Sequence, residues 1–325
     1  MAKIFIHLGA HKTASSFIQA NLKANAAAFE KQGWRAIDFQ IEFKKARRGA
    51  VKVRGRRRSS DNMNENLVGF FDEMRADPRD IFLSYEGFLG AMSMRKGRIY
   101  PNHAVPIKML KEKFSDREIK VGFCIRNFAD QIESSYRFRV AMGRMKINFD
   151  DYTKRISPEN LSWLDIVQNL SEVYGAENLV LWTYEDFKKD GVAAFVKIVQ
   201  AAGIDTGEMV AAVAEPYNVS PSPDQVKVLK AWYEALHSKL ELSREDTRRV
   251  EGSLRSMLAE LPRTETKGLF GPKRRKKLTQ QYEREVEIMR EKWGSRILDF
   301  TTLPSTDRIP ISQIKDDSAG NESKA

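Results

Sequence analysis

The chain has 325 residues, 42% of them apolar and including 18 Phe and five Trp, which suffices for a full buried core and excludes a disordered protein. Cys124 is the single cysteine, which excludes an intrachain disulfide framework and a thiolate metal cluster and leaves it as a small buried apolar residue. A formal net charge of +11 draws anions, so the partner classes to separate are phosphate- or sulfate-bearing cofactors, acidic glycans, nucleic acid and anionic lipid.

Met1-Ala2-Lys3 runs straight into Ile4-Phe5-Ile6, too short for a secretory apolar region, and no later apolar run approaches the ~20 residues that span a bilayer, so a soluble cytoplasmic protein is the expectation. Ile4 to Leu8 reads as a strand ending at Gly9, and Ser16 to Phe29 has the spacing of a helix through Phe17, Leu22, Ala26 and Phe29. Similar apolar runs recur at Ile81-Phe82-Leu83-Ser84, Val121 to Ile125 and Leu179-Val180-Leu181-Trp182, each followed by polar residues and a helical pattern. That alternation predicts a three-layer α/β sandwich around a mostly parallel sheet. From Asp224 onward the pattern is helical, with Val226, Leu229 and Trp232 on one face and Tyr282, Val286 and Met289 on another. A single domain over residues 1–303 is expected, with 222–300 mainly helical and residues 304–325 a flexible tail poor in apolar anchors. Between Lys44 and Arg58 the chain reads KKARRGAVKVRGRRR, and the 44–60 stretch is read as a solvated mobile loop or as a dock for an acidic acceptor. No aromatic-rich platform for a single strand accompanies it, so nucleic acid is not the expected partner.

The segment between the first strand and first helix, Gly9-Ala10-His11-Lys12-Thr13-Ala14-Ser15-Ser16, carries the chemistry. A loop there gathers backbone N–H groups and the positive end of a helix dipole around one point, which suits phosphate oxygens. Lys12 adds a cation, and Thr13, Ser15 and Ser16 add hydroxyls. Against the nucleoside-triphosphate loop G-x-x-x-x-G-K-S/T, Ser15 stands where the lysine belongs and the cation has moved upstream to Lys12. The usual lysine serves the β- and γ-phosphates, so its displacement argues against a kinase or ATPase.

His11 to Phe17 resembles the 5′-phosphosulfate loop P-K-S-G-T-T-W of the sulfotransferase superfamily, with His11 for Pro, Ala14 for Gly and Phe17 for Trp. Ala14 is the costly departure, because a loop glycine often supplies a positive φ. Downstream, Arg126 leaves the third apolar run and Ser134 falls on the helix after it, an arginine fork plus hydroxyl that suits a terminal phosphate. This Arg-x7-Ser pair is similar to the family's 3′-phosphate motif. Leu179 to Phe187 looks like the family's strand with a Tyr-Glu-Asp-Leu ending, which implies that Tyr184 approaches an adenine, against a packed strand-end aromatic. Thr266-Lys267-Gly268-Leu269-Phe270-Gly271 partly matches R-K-G-x-x-G, implying nucleotide contacts for Lys267 and Gly268, against an ordinary basic loop.

The resemblance implies a P-loop NTPase-like fold and a metal-independent transfer of the sulfo group from 3′-phosphoadenosine 5′-phosphosulfate to an acceptor hydroxyl, with the carbohydrate-type bacterial branch favoured. The four His are scattered and no carboxylate cluster has ligand spacing, which agrees with no metal. Lys12 would neutralise charge on the bridging oxygen, and an acceptor hydroxyl needs a base. Glu86, at the end of the second apolar run, stands where the sheet would aim it at the cleft; His11 and His103 are the other candidates. The acceptor is a hydroxyl-bearing molecule, an acidic glycan among the possibilities. The remaining alternatives are a nucleotide kinase of the same architecture and a non-catalytic nucleotide- or nucleic-acid-binding protein.

Overall fold

Short runs of consecutive apolar residues, flanked by turns, form strands buried on both faces. β1 (Lys3–His7), β2 (Trp34–Asp38), β3 (Asp80–Ser84), β4 (Glu118–Ile125) and β5 (Leu179–Thr183) build one sheet in the order β2-β3-β1-β4-β5. Every pairing is parallel, with His7 level with Ser84 on one side and Gly122 on the other. The computed structural model describes residues 1–41, 43, 60–90, 97–143, 145, 147–211, 221–238, 243–260 and 268–300. The basic run from Lys44 to Arg58, Lys267 and the stretch beyond residue 303 lie outside them.

The connections carry helices α1 (Ser15–Ala24), α2 (Ala26–Lys31), α3 (Ser60–Ala76), α4 (Ala104–Lys113) and α5 (Phe128–Ala141). After them come α6 (Leu164–Tyr174), α7 (Gly191–Ala202), α8 (Pro223–Ser238), α9 (Arg244–Glu260) and α10 (Pro272–Trp293). Side chains alternate across a strand, so each face of the sheet builds its own core. Phe5, Phe82, Cys124, Val180 and Trp182 pack under α1 and α7 through Phe17, Ile18, Phe195 and Ile198. On the other face Ile4, Ile6, Leu83, Val121 and Phe123 meet Ile107, Ile132, Leu170 and Met289 from α4, α5, α6 and α10. The three-layer α/β sandwich follows from that division.

Three readings of the sequence need correction. A fifth strand, Trp34–Asp38, completes the sheet at its edge; its Arg35 and Asp38 hide it in the sequence, yet Trp34 and Ile37 enter opposite cores. The first helix is broken at Asn25, whose amide donates to the carbonyls of Asn21 (2.8 Å) and Val210 (2.7 Å) and accepts the Val210 N–H (2.8 Å). On α8, Trp232 is 45% exposed and Tyr233 takes the buried place beside Val226 and Leu229. Tyr282, Val286 and Met289 are buried as their spacing implies. No helix among the described residues is long and apolar enough to cross a membrane.

The strand order reverses at β1, with β3 on one side and β4 on the other. In open parallel sheets that reversal opens a crevice at the carboxyl ends of the strands, where ligands sit. The loop after β1, Glu86 after β3 and Arg126 after β4 therefore meet at one edge.

Candidate active site

The backbone after β1 turns through left-handed conformations at Gly9 (φ 39°), Lys12 (φ 67°) and Ala14 (φ 64°) before α1 begins. Only glycine fits at position 9, since a Cβ there would stand 2.7 Å from Ser15 Oγ and 3.0 Å from His7 Nε2. Thr13 is fully buried and its hydroxyl donates to the Ala10 carbonyl at 2.5 Å, which braces the loop from within. Ser15 Oγ is buried with no protein partner, while Ser16 stands half-buried in the first turn of α1. A buried donor left unpaired is costly, which makes the Ser15 hydroxyl a candidate contact for a bound anion.

His11 is held by Tyr100. The His11 N–H donates to the Tyr100 hydroxyl at 2.7 Å, and that hydroxyl lies 2.8 Å from His11 Nδ1. The one hydroxyl thus engages both the backbone and the ring of His11 and fixes the orientation of the imidazole. Burial lowers the His11 pKa, with the Glu86 carboxylate opposing and Lys12 reinforcing the shift. Lys12 Nζ lies 4.6 Å above the Phe138 ring. Burial also lowers the Lys12 pKa, opposed by Glu86 and assisted by Arg126. Glu86 thus acts electrostatically on both His11 and Lys12, in keeping with its place just after β3, the neighbour of β1 in the sheet. His103 is spent on a turn, its Nδ1 lying 3.0 Å from the Tyr100 carbonyl.

Arg126 ties the motifs together. Its Nη1 donates to the Lys12 carbonyl at 2.5 Å, and its guanidinium stacks 4.3 Å from the Tyr184 ring. Ser134 is buried on α5, on the face that Gln131 and Phe138 share. Gln131 Nε2 donates to the His11 carbonyl at 2.5 Å. Asn127 caps α5 by accepting the Ala129 N–H, and its own N–H donates to Glu185 Oε1 at 3.0 Å. Gly268 packs tightly against Glu133 and Arg275, where a Cβ would come within 2.7 Å of Glu133 Oε1. Cys124 is fully buried and its thiol pKa is raised well above normal by burial, so it is an inert core group.

Sequence reasoning passed over Tyr100, Gln131, Phe138 and Glu185. The 3.6-residue spacing of Gln131, Ser134 and Phe138 would have put them on one helix face, and Glu185 adjoins the singled-out Tyr184. Tyr100 lies 89 residues from His11 in a turn without periodicity, and nothing local announces it.

Residues 8–220 match the family described as "Sulfotransferase domain", more than half of the chain. The chain is 30% identical over 119 residues to a 3-beta-hydroxysteroid sulfotransferase of Cavia porcellus, covering 34% of this chain and 40% of the relative. It is 28% identical over 128 residues to a 3-alpha-hydroxysteroid sulfotransferase of the same organism, covering 36% and 43%. The match therefore spans about two-fifths of those curated relatives. Among solved structures, a sulfotransferase from Alicyclobacillus acidocaldarius is similar at 17% identity and a TM-score of 0.41, covering 77% of this chain and 100% of that one. A mouse sulfotransferase complexed with PAP is similar at 12% identity and a TM-score of 0.40, covering 88% and 85%. With the family match over residues 8–220, and with the loop after β1, Arg126 and Ser134 gathered at one edge of the sheet, the chain belongs to the sulfotransferase domain family.

Proposed function

We propose that the chain transfers the sulfo group of 3′-phosphoadenosine 5′-phosphosulfate to an acceptor hydroxyl. The carrying observation is Arg126, whose single side chain joins the phosphate-loop carbonyl of Lys12 to the Tyr184 ring, so that two anion-binding elements and an aromatic face share one edge. The nucleotide fits the residues present: the unpaired Ser15 hydroxyl and the start of α1 receive the 5′ end, with His11, Lys12, Ala14 and Ser16 around it. Arg126 and Ser134 hold the 3′-phosphate, Tyr184 flanks the adenine, and Gly268, packed against Glu133 and Arg275, adjoins the 3′-phosphate helix. The co-substrate supplies an activated sulfo group on a phosphate leaving group.

Lys12 offers positive charge where the leaving phosphate gains negative charge, in a half-buried setting that strengthens the attraction. Glu86 is the base that takes the acceptor proton, since its carboxylate is already felt by Lys12 and His11 at the mouth of the crevice. His11 is the weaker candidate, because its Nδ1 is occupied by Tyr100. A carboxylate base beside a cationic chain of net charge +11 supports a carbohydrate acceptor, acidic glycans included. A second reading, an apolar ring alcohol, is favoured by Phe138, which is 41% exposed beside Lys12 Nζ, and by the hydroxysteroid names of the two relatives.

Thermal unfolding with adenosine 3′,5′-bisphosphate, with ATP plus Mg²⁺, and without ligand tests the donor. The expected result is a magnesium-independent rise in Tm with the bisphosphate, lost in Arg126→Ala. A rise with ATP and Mg²⁺ alone would replace this reading with the kinase. Sulfation of a panel of glycans and steroid alcohols then decides the acceptor, and Glu86→Gln is expected to lower kcat by about 10²–10⁴ while the bisphosphate still binds.

A further inference from the structure

Two more arginines gather on the helix that carries Ser134, Arg137 from α5 itself and Arg275 from α10, both paired with Glu133. Arg275 Nη1 donates to Asp130 Oδ1 at 2.7 Å and its Nη2 to Glu133 Oε1 at 2.9 Å. Arg137, one helical turn beyond Ser134, donates from Nη2 to Glu133 Oε2 at 3.0 Å, and its buried Nε has no partner. Glu133 also accepts the Phe270 N–H at 3.0 Å, so this 3%-exposed carboxylate fixes both guanidinium groups in place. Asp130 and Glu133 balance two cations. No carboxylate pairs with Arg126 among the described residues.

The crowding shows on Arg137. Burial lowers its pKa, and although Glu133 and Asp130 oppose the shift, Arg275 and Arg126 drive it down further. The start of α10 adds to the excess, since Lys273, Lys276 and Lys277 accompany Arg275 there and the first turn of the helix holds no acidic residue. Arg274 is not free to join, because Nη2 donates to the Thr153 and Ile156 carbonyls. Like charges held this closely in a half-buried place are unfavourable by themselves, and a bound dianion relieves them.

We propose that Arg137 and Arg275 bind the terminal 3′-phosphate together with Arg126 and Ser134, with Glu133 as the positioning residue for both. The proposal rests on the sulfotransferase reading above and names further groups of the same site. The test compares the Kd of adenosine 3′,5′-bisphosphate with that of adenosine 5′-monophosphate, by calorimetry, in the wild type and in Arg137→Gln and Arg275→Gln. Each substitution is expected to weaken the bisphosphate about ten-fold or more while the monophosphate, which lacks the group in question, changes less than about two-fold. Monophosphate binding also reports that the variant is folded. If the Gln variants fail to fold, Arg137→Lys and Arg275→Lys keep Glu133 paired while removing the guanidinium fork, and the same fall in the ratio of the two affinities is expected. A ratio equal to wild type in the folded variants at both positions overturns the proposal. A wild type that does not prefer the bisphosphate overturns the sulfotransferase donor site and this proposal with it, an outcome separate from an unchanged ratio in the variants.

Discussion

Ala14 sits at φ 64°, ψ 23°, where a Cβ costs about 1–2 kcal/mol for an L-residue. That strain persists because the loop is pinned on both sides, by Thr13 to the Ala10 carbonyl and by the Lys12 carbonyl to Arg126. Ala14→Gly removes the strain at some cost in chain entropy, and it is expected to stabilise the protein by about 1 kcal/mol in urea unfolding without loss of nucleotide binding. His7 makes a different kind of statement. It is fully buried at the end of β1, its Nδ1 lies 2.9 Å from Ser84 Oγ, and burial lowers its pKa from 6.5 to about 3. Between those two values the unfolded chain binds a proton that the folded chain refuses. The stabilisation is present above pH 6.5 and is lost as pH falls toward 3. The urea midpoint is therefore expected to fall between pH 7 and pH 4, and to fall less steeply in His7→Asn, which carries no titrating ring.

Elements are joined at the site by carboxylates as much as by apolar packing. Glu185 follows β5, accepts the Asn127 N–H at the start of α5 (3.0 Å) and accepts the Tyr282 hydroxyl from α10 (2.6 Å). The same contact raises the Tyr282 pKa after burial has done so. Because Arg126 and Tyr184 flank these bonded residues, Glu185 sets how far apart the guanidinium and the ring stand. Glu185→Ala is expected to cost about 2 kcal/mol of stability through the two donors left unpaired. It should also weaken adenosine 3′,5′-bisphosphate binding by more than the stability loss explains; an unchanged Kd would mean that Glu185 is structural only. At the opposite edge of the sheet Arg117 plays the corresponding structural part, donating to the carbonyls of Met74 (2.8 Å) and Arg79 (2.8 Å) and so fastening the end of α3 to β4.

Across the whole molecule, the sequence by itself determined the alternation of buried strands and helices and the identity of the loop that follows the first strand. Both are local: a run such as Val121 to Ile125 declares its burial in its own composition, and Gly9 to Ser16 carries its donors side by side. The edge strand Trp34–Asp38 escaped because its five residues mix charge with apolar anchors, and only pairing with β3 makes them a strand. The strand order was decided by tertiary packing, and with it the reversal at β1 that sets Glu86 and Arg126 on either side of the loop. The same holds for Tyr100 on His11, 89 residues away, for Arg126 on the Lys12 carbonyl, 114 residues away, and for Arg275 on Asp130, 145 residues away. Periodicity reports only whether a side chain is buried. Which partner it meets is chosen by the packing of elements far apart in the chain, and so the motifs were readable one at a time while their assembly into one site was not.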